Sequence, residues 1–161
     1  MGKTIQVGDV APDFTRLTAD GHELRLSDFR GKRSVVLFFY PKDHTSVCTA
    51  QACAFRDRED EFRGAAAEII GVSGDSAASH QRFAANHSLS FHLLSDSDGS
   101  LRALFGVPKS LWVIPGRVTY VIDRQGIVRF VCSALLNAEK HSAEALRVVL
   151  QLEAADSEVK S

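Results

Sequence analysis

Three of the 161 residues are cysteines, and two of them, Cys48 and Cys53, lie five positions apart. Cysteine acts as a nucleophile or redox centre through its thiolate. The surrounding segment, YPKDHTSVCTAQACAFRD, places Cys48 just after an apolar strand-like run. It also places Cys48 in the first turn of a stretch free of Pro and Gly that reads as a helix. A helix N-terminus carries roughly +0.5 charge and unpaired N–H groups, which favour a thiolate. An ordinary cysteine with a pKa of about 8.5 is only ~3% thiolate at pH 7. Becoming mostly thiolate takes about 2–3 pKa units, or roughly 3–4 kcal/mol. A helix end supplies about 0.3–1 kcal/mol, and up to ~2 kcal/mol when partly buried. A second positive group is therefore required.

Arg117 is the best-placed cation, a charged residue that follows Pro115-Gly116 and precedes the apolar run 118–122. Its guanidinium presents a fork of donors and keeps its charge at working pH. It can hold the thiolate and polarise an oxygen of a bound substrate. Thr45 lies three residues before Cys48. Its hydroxyl is expected to cap the helix, or to bond the sulfur and a substrate oxygen. Pro41 is expected to shield the site from water and to fix the start of the loop.

On an ideal helix a five-residue step rises about 7.5 Å and turns about 140°, which separates the two Cα atoms by roughly 8.6 Å. A disulfide needs them within about 7 Å. Cys48 and Cys53 therefore pair only if the helix unwinds, or they do not pair at all. Cys132 shares an apolar strand face with Val128, Phe130 and Ala134 and reads as a core residue.

The elements that must position these residues follow from the hydrophobic pattern. Residues 14–19 and 23–26 alternate around Asp20-Gly21 and predict a hairpin. Residues 34–40 (SVVLFFY) predict a strand buried on both faces, ended by Pro41. A helix is expected over 46–63 with Gly64 as its C-cap, then a strand at 69–73. A helix capped by Asp75 or Ser76 runs to about residue 86, followed by a strand at 91–94 and a short helix at 99–105. Strands at 118–122 and 127–134 close as a hairpin, and a last helix starts at Asn137. Residues 154–161 are polar and read as a flexible tail behind a single domain over 3–153. Strands alternating with helices define an α/β layered sheet, and the closing hairpin makes it mixed. The expectation is a thioredoxin-like fold with an N-terminal β-hairpin extension.

Composition removes several classes. Nineteen Lys and Arg against twenty Asp and Glu leave no basic footprint for nucleic acid. No apolar run reaches the ~18 residues of a membrane span. Three cysteines are too few for a secreted disulfide scaffold, and residues 1–10 lack the apolar core of a secretory signal. The expected compartment is the cytosol, with reduced thiols. The six histidines show no ligand spacing, and His44 reads as an exposed loop residue. Residues 71–76 resemble a phosphate loop but lack its Lys, and read as a strand-to-helix turn.

The segment Pro41-Lys-Asp-His-Thr45-Ser-Val-Cys48 resembles the peroxiredoxin signature Pro-x-x-x-Thr-x-x-Cys. Cys53-Ala54-Phe55-Arg56-Asp57 and Arg117-Val118-Thr119-Tyr120-Val121-Ile122-Asp123 are similar to segments of the Q type, also called bacterioferritin-comigratory-protein-like. The resemblance covers residues 3–152. It implies a peroxidatic Cys48 that becomes a sulfenic acid, and a resolving Cys53 that condenses with it into an intramolecular disulfide. It implies that Thr45 and Arg117 bind the peroxide and that Pro41 shelters the sulfenic acid. A thioredoxin or similar dithiol would be the reductant. No metal or organic cofactor is implied, and a monomer suffices.

Two departures stand out. Ser46-Val47 replaces the usual Pro-Gly, which stiffens the loop beside the sulfur, and Gln51 stands where the family often carries Glu. Two other functions compete. A thiol–disulfide oxidoreductase is disfavoured by the lack of Cys-x-x-Cys, and a redox sensor or holdase would show slow peroxide turnover.

Overall fold

Residues 35–39 are apolar, rich in Val and Phe, and with Ser34 become the centre of the sheet, β3 (Ser34–Phe39), with every side chain buried. The computed structural model describes residues 4–107, 109–110, 114–115, 117–133 and 138–160, of which 109–110, 114–115, 138 and 156–160 are described by backbone alone. The chain starts with the expected hairpin, β1 (Thr15–Leu17) and β2 (Glu23–Arg25), followed by a short 3-10 turn at Leu26–Phe29. After β3 come α1 (Ser46–Asp57), α2 (Glu59–Gly64), β4 (Ala67–Ser73), α3 (Ala77–His87), β5 (His92–Ser95) and α4 (Ser100–Phe105). Then follow β6 (Lys109–Ser110), β7 (Ile114–Pro115), β8 (Val118–Ile122), β9 (Val128–Cys132) and α5 (Ala138–Lys160).

The main sheet has the order β5-β4-β3-β8-β9. β3 runs parallel to β4, which runs parallel to β5, whereas β8 is antiparallel to β3 and to β9. This is a thioredoxin-like α/β fold with a mixed five-stranded sheet and a two-stranded N-terminal hairpin. Alternation along β3 sends Val36 and Phe38 to one face and Val35, Leu37 and Phe39 to the other. The first face packs against Phe55, Phe62, Phe83, Ala145 and Val149 of α1, α2, α3 and α5. The second packs against Phe14, Leu24, Leu101 and Phe105. Phe38 stacks on Phe55 with ring centroids 4.6 Å apart, which pins α1 to the sheet. At Gly71 a Cβ would lie 2.8 Å from the Phe38 ring, so only glycine lets β4 sit beside that ring.

The register sets up the chemistry. Phe39 pairs with Val118, so the C-terminal end of β3 and the N-terminal end of β8 meet at one edge of the molecule. Arg117 and the loop leading to Cys48 are thereby brought together, although the two residues lie 69 positions apart.

Several local expectations change. The helix over 46–63 is two helices, broken at Arg58 (φ −104°, ψ 6°). The break is stabilised by Glu59, Asp60 and Glu61, three acidic residues in the first turn of α2, where negative charge favours a helix start. Gly64 lies inside α2 and Ala65 caps it. The last helix continues through residue 160 rather than giving way to a tail at 154. Its expected start at Asn137, and Ala134 of the preceding strand, lie outside the described residues. The short pair β6–β7 was not legible in the sequence. No helix among the described residues is long and apolar enough to cross a membrane.

At the sheet edge, His92 Nε2 lies 3.4 Å from Glu68 Oε1. This bond raises the His92 pKa above its ordinary 6.5 and holds the Glu68 carboxyl below its ordinary 4.5, against the opposing effect of burial. The His92 contribution to stability is present below its unfolded pKa and is lost as pH rises through its folded value. The Glu68 contribution is present above its unfolded pKa and is lost as pH falls through its folded value. The pair therefore stabilises most between pH 4.5 and 6.5. Partial exposure of the side chains, 39% and 26%, limits it to less than about 1 kcal/mol. His92→Gln is expected to lower Tm by up to about 3 °C near pH 5.5 and by nothing measurable at about pH 9. Calorimetry at the two pH values checks this, and equal shifts would contradict it.

Candidate active site

The loop between β3 and α1 delivers Thr45 as the N-cap residue of α1, with extended backbone (φ −85°, ψ 155°). The first helical bond runs from the Thr49 N–H to the Thr45 carbonyl at 2.8 Å. Cys48 is the third residue of the helix, and the N–H groups of residues 46–48 precede the first intrahelical donor. Its side chain is 1% exposed.

Arg117, 4% exposed, reaches across from the start of β8. Its Nη2 donates to Cys48 Sγ at 3.1 Å and its Nη1 donates to Gln51 Oε1. One guanidinium thus holds both the sulfur and the next turn of the helix. An arginine can only donate, so Gln51 must offer its oxygen to Arg117 and turn its amide nitrogen away. That nitrogen points to Thr119 Oγ1 at 3.5 Å, and Thr119 Oγ1 is 2.6 Å from His141 Nδ1 on α5. Gln51, Thr119 and His141 are all fully buried. A neutral glutamine at position 51 leaves the positive charge of Arg117 for the sulfur, where a glutamate would compete for it.

The expected side-chain cap by Thr45 is not found. Its Oγ1 donates to the Lys42 carbonyl at 2.9 Å, three residues back, and makes no bond to the helix N–H groups. A hydroxyl whose proton is engaged in this way presents its oxygen lone pairs as acceptors. Pro41 is half-buried directly after β3. Arg102, buried beneath the strand end, donates to the Tyr40 carbonyl at 3.2 Å and lies 5.7 Å from the Phe39 ring centroid. Burial lowers the pKa of Arg102. Cys53 is half-buried in α1, Cys132 is 7% exposed on β9 as its strand face predicted, and all three cysteines are free thiols. His44 is exposed, as expected, and takes a left-handed backbone (φ 65°) with its ring against Phe83.

A second polar cluster lies under the same loop, and sequence reasoning missed it. Asp43, 3% exposed, accepts from Tyr40 Oη at 2.6 Å and from Ser79 Oγ at 2.9 Å, and lies 2.6 Å from His80 Nδ1. Burial pushes the Asp43 carboxyl up, and the bonds from His80, Tyr40 and Ser79 outweigh it, so its pKa lies below the ordinary value. Burial, reinforced by Asp43, raises the Tyr40 phenol well above its ordinary value. Asp43, Asp75 and His80 bring three possible metal-ligand atoms within 4.8 Å of one another. Those groups are already engaged in hydrogen bonds within the protein. His80 is 37 positions from Asp43, and its only sequence signal is that it lies one helical turn before Phe83 on the inner face of α3.

A buried cysteine at a helix N-terminus, held by a guanidinium from the neighbouring strand of a thioredoxin-like sheet, defines a thiol-based redox site. Comparison with known proteins narrows the class. The AhpC/TSA family model matches residues 7–131. Peroxiredoxin Q, chloroplastic, of Triticum aestivum is 46% identical over 149 residues, covering 92% of this chain and 68% of that protein. The Arabidopsis thaliana protein of the same name is 45% identical over 144 residues, covering 89% of this chain and 66% of that protein. Among solved structures, peroxidoxin BcpB of Mycobacterium tuberculosis superposes with a TM-score of 0.85 at 34% identity, covering 92% of this chain and 98% of that one. A cysteine-to-serine mutant of Xylella fastidiosa PrxQ gives a TM-score of 0.84 at 28% identity, covering 96% and 99%. The chain belongs to the AhpC/TSA family and, within it, to the Q-type peroxiredoxins. Its activity is that of a thiol peroxidase.

Proposed function

We propose that the chain reduces hydrogen peroxide and small organic hydroperoxides through Cys48, with Cys53 as resolving thiol and a thioredoxin-like dithiol as reductant. The observation that carries this reading is the 3.1 Å contact of Arg117 Nη2 with Cys48 Sγ at a helix N-terminus. Two positive influences converge on one sulfur, and both stabilise negative charge there.

In the first step the Cys48 thiolate attacks the terminal peroxide oxygen. The S–O bond forms, the O–O bond breaks, and the departing alkoxide or hydroxide takes a proton, leaving Cys48 as a sulfenic acid. Arg117 stabilises the charge as it moves from sulfur to oxygen. The Thr45 oxygen accepts a hydrogen bond from the peroxide hydroxyl, and Pro41 keeps water from the sulfenic acid. Alkyl peroxide reduction is named for the bacterioferritin comigratory protein of Xanthomonas campestris, which is 27% identical with a TM-score of 0.81. That likeness supports organic peroxides as substrates here.

In the second step Cys53 attacks the Cys48 sulfur, water leaves and a disulfide forms. Both cysteines lie in the intact α1, where the ideal separation of roughly 8.6 Å forbids the bond, so the first turns of α1 must unwind. Oxidation removes the thiolate that Arg117 holds, and with it one grip of that guanidinium on the helix. The pairing is within one chain, so a monomer completes the cycle. An external dithiol then restores both thiols by exchange.

Cys53→Ser tests the second step. The variant is expected to be oxidised once by peroxide at the normal rate, and then to fail to turn over with thioredoxin. Steady turnover at the normal rate would contradict the role of Cys53.

A further inference from the structure

The proposed role of Thr45 depends on where its hydroxyl points, and the structure shows what aims it. The Thr45 proton goes to the carbonyl of Lys42 at 2.9 Å. That carbonyl belongs to the same peptide unit as the Asp43 N–H. A trans peptide is planar, with its N–H and C=O pointing in opposite directions. Whatever fixes the N–H therefore fixes the carbonyl. The Asp43 N–H donates to Asp75 Oδ2 at 2.7 Å.

Asp75 is itself well held. Its Oδ2 also accepts from Ser73 Oγ at 2.7 Å, and its carbonyl accepts from Ser95 Oγ at 2.5 Å. It stands in the tight turn between β4 and α3, both anchored in the core. On the other side of the peptide, the Asp43 side chain is tied to Tyr40, Ser79 and His80 at 2.6–2.9 Å. The Lys42–Asp43 peptide is thus held by its N–H and by the side chain that follows it, which leaves one direction for its carbonyl.

We propose that Asp75 is a positioning residue for the peroxide reaction: by accepting the Asp43 N–H it orients the Lys42 carbonyl, and through that carbonyl the Thr45 hydroxyl. The proposal rests on the reading of Thr45 as a peroxide ligand. It assigns to a residue 27 positions beyond Cys48 a part in the substrate step and none in making the nucleophile.

The test compares two reagents. Peroxide needs the Thr45 oxygen, whereas iodoacetamide meets only the sulfur. Thr45→Val is expected to slow oxidation of Cys48 by hydrogen peroxide about tenfold, the scale of one hydrogen bond, and to leave its alkylation rate unchanged. Asp75→Ala is expected to slow peroxide oxidation by about five- to tenfold, also with unchanged alkylation, and to add no further loss in the Thr45→Val background. Asp75→Glu keeps the charge and displaces the oxygen by a methylene, so it gives the same test should the alanine variant not fold.

A normal peroxide rate in the Asp75 variants beside a slow Thr45→Val overturns the proposal alone. So does a loss that multiplies with that of Thr45→Val. A change in Cys48 alkylation also overturns it, because general loosening of the loop would expose the buried sulfur. A normal rate for Thr45→Val overturns the role of Thr45 first, and the proposal with it.

Discussion

Cys48→Ser is expected to leave a folded protein that does not consume peroxide above background, a loss on the order of 10⁴-fold or more for removal of the proposed nucleophile. A serine hydroxyl at this position cannot ionise with the help the site provides. Arg117 and the helix N-terminus supply a few kcal/mol, which is far from enough for an alcohol. The substitution is nearly isosteric at a side chain 1% exposed, so the fold and the Cys53 thiol are unaffected. Peroxide consumption in a coupled assay with thioredoxin and its reductase reads the loss. Cys53→Ser separates cleanly from it, because that variant retains one round of oxidation.

Arg117→Ala has the second-largest expected effect. The guanidinium holds the Cys48 sulfur at 3.1 Å and also holds Gln51, and all three residues are buried. Its removal deletes a charge-assisted hydrogen bond worth about 1.5–3 kcal/mol and leaves the Gln51 oxygen buried without that donor. The second-order rate of oxidation by hydrogen peroxide should fall about 10²–10³-fold, the scale of losing one donor to a developing charge. The sign for the thiol follows from charge. A nearby cation stabilises negative charge on the sulfur, so its loss slows alkylation of Cys48 at a fixed pH. Arg117→Lys restores part of that rate, since it keeps the charge and loses the fork. An unchanged alkylation rate in Arg117→Ala would remove Arg117 from its role at the sulfur.

The parts of this site that were legible in the sequence are those set by short-range geometry. The run at 34–40 announced a strand buried on both faces. The five-residue spacing of the cysteines fixed their separation on a helix, because helix dimensions do not vary with sequence. Arg117 stood out as a charge placed before an apolar strand. The interruption at Arg58 was less visible. Residues 46–63 contain no breaker, and only the acidic run 59–61 hinted at a second helix start.

The supports of the site were not legible. Asp43 with His80, Asp43 with Asp75, and Thr119 with His141 are joined across the fold by sheet register and helix packing. No local pattern encodes such pairs. Thr45 shows the same limit at closer range, because the sequence signal of an N-cap residue is the same whether its hydroxyl turns toward the helix or back to Lys42.

The most direct measurement adds one equivalent of hydrogen peroxide to the reduced protein, alkylates the remaining thiols and maps them by mass spectrometry. The expected product is a disulfide between Cys48 and Cys53 with Cys132 alkylated, which requires α1 to unwind. Oxidised Cys48 beside an alkylated Cys53, with no internal disulfide, would contradict the two-cysteine mechanism.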